Sequence, residues 1–155
     1  MPERLAEMVL DGLGESATLP LEIERIIKLY GIKLENAPLT KTIGGIYCPL
    51  LGCPVIIINS LLDVRRRRFT LAHELFHHLD YAIAPIKRAS RFCMPDRSTE
   101  RSANAFAGAL LMPPSAVAFL SRTKSRTDLC DIFGVSRSAL EIRLRELGLN
   151  CDISA

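Results

Sequence analysis

No stretch of this 155-residue sequence approaches the ~20 apolar residues that a membrane-crossing helix needs. The first residues, Met1-Pro-Glu-Arg-Leu-Ala-Glu7, also lack the basic segment and apolar run of an export signal, so the expected location is the cytoplasm. Charge of one sign is scarce: 20 Lys and Arg against 17 Asp and Glu leave a formal +3. That is too little to imply nucleic acid or an anionic membrane without a concentrated patch. Only Arg65 to Arg68 forms one, and it reads as the solvated first turn of a helix with Arg68 packing inward. Cysteine is odd in number (Cys48, Cys53, Cys93, Cys130, Cys151), which argues against a disulfide framework and for reduced thiols. Cys48 and Cys53 bracket a turn, but a structural zinc there lacks two further ligands nearby. Repeats and low-complexity tracts are missing as well. With 48% hydrophobic and 24% charged residues, the expectation is one domain spanning 1–155.

What is present is mostly helical periodicity. Leu5, Met8 and Val9 are helically spaced before Gly12, and Ile23, Ile26, Ile27 and Tyr30 repeat the pattern before Gly31. Ile32 and Leu34 alternate with polar residues. Ile43-Gly-Gly-Ile-Tyr-Cys48 and Val55-Ile-Ile-Ile58 then flank a turn-rich segment, which predicts a small antiparallel sheet containing a hairpin. Nothing breaks a helix from Asp63 to Tyr81, where Phe69, Ala72, Phe76 and Leu79 define one stripe for burial. Residues 82 to 97 read as a loop. Asp96 or Ser98 then caps a helix that ends at Met112-Pro113-Pro114 and turns Ala103, Ala107, Leu110 and Leu111 inward. Residues 121 to 127 are polar enough to be a mobile connection. The segment 127–149 predicts two short helices joined at Gly134, a helix-turn-helix-like hairpin within the same domain. The fold class expected is therefore α+β, mostly helical, with a small sheet near the central helix.

The chain's three histidines all fall inside that central helix, at His73, His77 and His78. In His73-Glu-Leu-Phe-His77 the two outer histidines are just over one turn apart, so both imidazoles project from one face and can share a metal. Chance alone places this pattern roughly 0.004 times in a chain of this composition. Zinc suits such nitrogen ligands, and a catalytic site keeps a fourth position for water once three protein ligands are in place. Zinc lowers that water's pKa toward ~7, and Glu74 stands beside it to take the proton and return it to a leaving amine. Glu100 is the best candidate for the third ligand, because Asn104 lies one turn beyond it on the same face. Asn104 can then accept a bond from the far nitrogen of a ligating histidine. Asp80 and Asp96 compete for the third place, although Asp80 follows His77 too closely on the same helix to reach round an ion. His78, rotated about 100° from His77, reads as a solvated side chain. The stabiliser of a carbonyl oxyanion stays open among Tyr47, Tyr81 and arginines.

Arg68-Phe-Thr-Leu-Ala-His-Glu-Leu-Phe-His77, together with Glu100-Arg-Ser-Ala-Asn-Ala-Phe-Ala-Gly-Ala-Leu-Leu-Met-Pro113, resembles the ImmA/IrrE family of metallopeptidases. The resemblance extends more loosely to the leading helices, the hairpin and Arg143-Leu-Arg-Glu-Leu-Gly-Leu149. It implies a zincin-like fold with the glutamate of the second block, here Glu100, as third zinc ligand. It also implies a protein substrate, a helix-turn-helix transcriptional repressor controlling a mobile element or a stress response. The sequence departs from the family in carrying Phe76 where glycine is frequent, and in offering no stretch for the extra sensor domain of larger members.

A second function class is a DNA- or protein-binding regulator that keeps the peptidase scaffold around a structural zinc. Phe133-Gly-Val-Ser-Arg-Ser-Ala-Leu140 resembles the turn of a DNA-reading motif, with Arg137 and Ser138 toward a groove. One basic residue is a thin phosphate footprint, so no nucleic-acid-binding residues are assigned. An intact Glu74 also favours the enzyme, since a structural site needs no base.

Overall fold

The computed structural model describes residues 1–14, 18–49, 52–83 and 96–149. Proline at the first helical position starts α1 (Pro2–Leu13), which buries Ala6 and Val9 and packs along the later helix Arg97–Leu111. A short α2 (Ile23–Leu29) buries Ile23, Ile26 and Ile27. Three strands follow: β1 (Lys33–Ala37), β2 (Gly45–Cys48) and β3 (Val55–Asn59). The β-branched run of β3 belongs in the middle of the sheet, and the order is β1-β3-β2. Ile56 and Ile58 are fully buried.

The sheet is mixed, not purely antiparallel. β2 pairs antiparallel with β3, as the expected hairpin requires, but β1 pairs parallel with it through Leu34↔Ile56 and Asn36↔Ile58. The chain reaches β2 through residues 38–44, which Asn59 pins. Its buried amide donates to the carbonyls of Leu39, Thr40 and Ile43 (3.3, 3.2 and 2.9 Å) and accepts from the N–H groups of Leu39 and Leu61. This satisfied buried polar group fixes where β2 enters the sheet.

Helix α3 (Val64–Ile83) starts at Asp63, whose side chain accepts from the Arg66 N–H at 3.0 Å. Its burial is wider than the expected stripe. Leu71, Ala72 and Leu75 are fully buried, and Phe76 and Glu74 nearly so, whereas Phe69 and Leu79 are only partly covered. The reason is its position, held on one side by β2 and β3 and on the other by α4 (Arg97–Leu111). The rings of Phe76 and Phe106 meet there at 5.6 Å. Asp96 caps α4 by accepting from Thr99 N at 2.8 Å, and Ala103, Ala107, Leu110 and Leu111 are buried as expected. The loop read at 82–97 lies largely outside the described residues, while α3 itself runs through Ile83.

Pro113-Pro114 does not only end a helix. Pro114 is the first residue of α5 (Pro114–Leu120), an element the sequence reading does not contain. Residues 121–125 form a turn in which Ser125 and Asp128 make a reciprocal capping box for α6 (Arg126–Phe133). Gly134, at φ 63°, ends α6 in the left-handed region, and Ser136 caps α7 (Arg137–Glu146). The architecture is α+β: seven helices among the described residues around a three-stranded sheet. No single helix among those residues is long and apolar enough to cross a membrane.

Candidate metal centre

α3 and α4 pack side by side, and their facing surfaces bring His73, His77 and Glu100 together. The two histidine Nε2 atoms lie 3.1 Å apart, His73 Nε2 is 3.3 Å from Glu100 Oε2, and His77 Nε2 is 3.3 Å from the other carboxylate oxygen, Oε1. A tetrahedral ion with bonds of ~2.0–2.1 Å needs donor atoms about 3.3–3.4 Å apart, and one donor atom from each of these residues, all within 4.8 Å of one another, makes a triangle that a small metal ion can draw together. The tautomer fits too. His73 Nδ1 is 3.0 Å from Asn104 Oδ1, an atom that can only accept, so the proton sits on Nδ1 and the Nε2 lone pair faces the triangle. These three residues are the one metal-competent group among the described residues. Asp80 lines the cleft outside the triangle, and Asp96 is the helix cap.

Glu74 sits beside the triangle and is only 6% exposed. Burial, and secondarily the negative charge of Glu100, push its carboxyl up to about 8, against a lowering bond from the Tyr47 backbone N–H. The strand comes this close because Gly45 has no side chain. A Cβ there would stand 2.9 Å from Thr70 Cγ2 and 3.0 Å from Glu74 Cγ.

His78 differs from the solvated reading. Its Nδ1 is 3.1 Å from the Tyr47 hydroxyl, and its ring meets Tyr47 and Tyr30 edge-on with centroids at 5.5 and 6.2 Å. Burial lowers its pKa. The helix sets the direction in which His78 leaves the backbone, but β2 folding over that face supplies its partner. Tyr47, buried and packed on Tyr81, has its own pKa raised to about 12, first by desolvation.

A cleft of about 700 Å³ opens over these groups, walled by Gly45, Ile46 and Tyr47 of β2 on one side and by Thr99, Glu100 and Asn104 of α4 on the other. Because β2 is a sheet edge, its outer backbone groups border this cleft. The C-terminal hairpin does not reach it. There Arg137 pairs with Glu141 at 3.1 Å, and Arg126 lies 3.9 Å from the same carboxylate. Of the thiols, Cys48 is half-buried, Cys53 exposed and Cys130 buried, all free. Cys93 and Cys151 lie outside the described residues.

Two histidines one turn apart, a glutamate between them and a carboxylate from the next helix define a metallopeptidase-like centre. The chain belongs to the IrrE N-terminal-like domain family of peptidases, which it matches over residues 28–145, in agreement with the resemblance carried by its two sequence blocks. No curated protein sequence matches it. Among solved structures it is similar to a Mycobacterium tuberculosis transcriptional regulator, with a TM-score of 0.66 and 21% identity. The likeness covers 92% of this chain and 46% of that one, so this chain spans less than half of the regulator's length and the match speaks for the fold alone.

Proposed function

We propose that this chain is a single-domain zinc endopeptidase in which His73, His77 and Glu100 hold the metal and Glu74 moves the proton. The observation that carries the proposal is the grouping of His73, His77 and Glu100, with the ring nitrogens 3.1 Å apart and each 3.3 Å from a carboxylate oxygen, set against a buried carboxyl in an open cleft. Bound there, zinc supplies a Lewis acid that polarises a carbonyl and brings the pKa of water toward ~7. Glu74 takes a proton from the attacking water and returns it to the leaving nitrogen. Its raised proton affinity suits the second step. With the charge of Glu100 offset by a bound metal, the same carboxyl would give up its proton more readily and suit the first. The Tyr47 N–H holds the carboxyl in direction, and Asn104 holds the His73 ring.

An extended substrate segment fits along the free edge of β2, where main-chain pairing gives affinity without selecting a sequence. The target we assign is an exposed or locally unfolded segment of one helix-turn-helix repressor in the cytoplasm, the substrate class that the family resemblance implies. The test incubates zinc-loaded protein with the repressor encoded beside it and maps the products by mass, with Glu74→Gln and chelator controls. The expected result is a single inactivating cut, absent from both controls. No cut there, beside efficient digestion of arbitrary unfolded peptides, would keep the peptidase and discard the regulatory role.

A further inference from the structure

Four arginines run consecutively at the start of α3, and three of them hold the fold together. Arg65 pairs with Asp131 of α6. Arg67 donates to Glu24 Oε1 at 3.0 Å and to Asn36 Oδ1 at 2.7 Å. Arg68 turns inward as expected, donating to the carbonyls of Gly134 at 3.1 Å and Leu21 at 2.8 Å. Arg66 stands apart. Its backbone N–H goes to Asp63, but its exposed guanidinium has no ion pair or hydrogen bond among the described residues, and it lines the cleft. It is also the one cation among the described lining residues, whose carboxylates are Glu74, Asp80, Asp96 and Glu100.

The position of Arg66 on the helix sets what it can reach. Seven residues before His73 is close to two full turns, so the two side chains leave the same face about 10 Å apart along the axis. An extended peptide advances about 3.3 Å per residue, so Arg66 stands level with a substrate side chain about three residues from the bond at the metal. An exposed guanidinium is hydrated and costs the fold nothing when unpaired, which leaves Arg66, unlike its three neighbours, available to a ligand in the cleft. A planar, permanently charged fork suits a carboxylate. Asp80, seven residues beyond His73, gives the opposite end of the same stripe the opposite sign.

We propose that Arg66 is a specificity-determining residue that selects an acidic side chain about three residues from the scissile bond, on the flank lying over the start of α3. The proposal rests on the metallopeptidase reading of the cleft, in that it takes an extended peptide as the occupant. It adds the sequence preference that strand pairing alone cannot supply.

The experiment measures binding and cutting separately. Full-length zinc-loaded Glu74→Gln protein, with and without Arg66→Ala, is titrated with labelled short peptide mixtures randomised at the centre. These carry Glu, Gln or Lys three residues to either side, and binding is followed by fluorescence anisotropy. We expect Glu peptides to bind about five-fold better than Gln peptides on one flank only, an advantage that shrinks with salt. In Arg66→Ala the Glu-to-Gln ratio should fall to about one, and in Arg66→Glu the Lys peptides should lead. Equal affinities for Glu and Gln peptides, a ratio that survives Arg66→Ala, or no peptide binding at all would each overturn the proposal. Turnover of the same mixtures by the parent protein separates the two ideas. Charge-selective binding retains Arg66 whether or not these short peptides are cut, the peptidase itself being decided on the repressor, while cutting indifferent to charge retains the peptidase and sinks Arg66.

Discussion

At the residue scale, the proposed mechanism gives holding a metal and moving a proton to different atoms, so single substitutions can separate them. Glu74→Gln keeps the shape of the side chain and an oxygen for the Tyr47 N–H but cannot take a proton. Zinc content should stay at the parental level while turnover drops by at least ~10²-fold. Parental turnover in that variant removes Glu74 from the mechanism. Asn104 touches His73 but not the triangle, so Asn104→Ala should weaken zinc by about 10- to 100-fold without abolishing it, read by competition with a chelator of known affinity. An unchanged affinity would reduce the 3.0 Å contact to an incidental one. Gly45 tests the wall. An added Cβ meets Thr70 Cγ2 at 2.9 Å, and a β-branched side chain in a helix has little freedom to move away. Gly45→Ala should therefore cost about 1–3 kcal/mol in denaturant unfolding and displace the carboxyl of Glu74. A variant as stable and as active as the parent would show that β2 gives way instead.

At the element scale, α3 was legible because everything it needs lies within one unbroken stretch: a stripe, no breaker, and two histidines at one-turn spacing. Glu100 was less direct, since its role depends on α4 lying against α3, and Asn104 one turn later was the sequence signal that pointed there. Pro113-Pro114 hid α5, because a proline that ends one helix can equally open the next at its first position. The parallel pairing of β1 with β3 was invisible, as alternation marks a strand without naming its partner. Nothing in the sequence singles out Asn59, and only the folded loop shows its buried amide donating to three carbonyls. His78 failed for the same reason, because no helical rotation reveals the strand that will cover it. The C-terminal hairpin supports two further predictions. Gly134 holds φ at 63°, and a Cβ there would sit 2.6 Å from Arg68 Nε. Gly134→Ala should thus add about 1–2 kcal/mol of backbone strain and also loosen the joint between the hairpin and α3, lowering the melting temperature. Parental melting would mean that Arg68 simply swings away. Because Glu141 neutralises Arg137 at 3.1 Å, duplex DNA titrated at moderate salt should bind weakly and without sequence preference. Tight, sequence-dependent binding lost in Arg137→Ala would make α7 a reader of DNA.

At the scale of the whole molecule, contacts between distant parts of the chain argue for one cooperative unit. Arg143, fully buried in α7, donates to the Met112 carbonyl at the end of α4 and to Glu3 of α1, both at 3.1–3.2 Å, and to Glu146 within its own helix. Its Nη2 has no partner, so this is an imperfectly compensated buried charge whose value lies in joining three elements. Glu3 and Glu146 stay largely in water, which spares them when the arginine is removed. The cost of Arg143→Ala is then mainly the cavity and the orphaned carbonyl, about 2–4 kcal/mol, or a fall in melting temperature on the order of 10 °C. The proposed metal site lies at the other end of α4, where Glu100 is about 12 residues and 18 Å up the helix from Met112, and its candidate donors come from α3 and α4 together. Zinc at 100 times its dissociation constant should stabilise the native chain by about 2.7 kcal/mol, which for a protein of this size raises the melting temperature by roughly 5–10 °C. In a single cooperative unit that rise appears in one transition. It should persist in Arg143→Ala, which melts lower but keeps its donor triangle, and vanish in His73→Ala. Calorimetry with and without zinc decides the matter: two transitions, only one of them moved by zinc, would divide the chain into separate units, and an equal rise in His73→Ala would place the metal elsewhere.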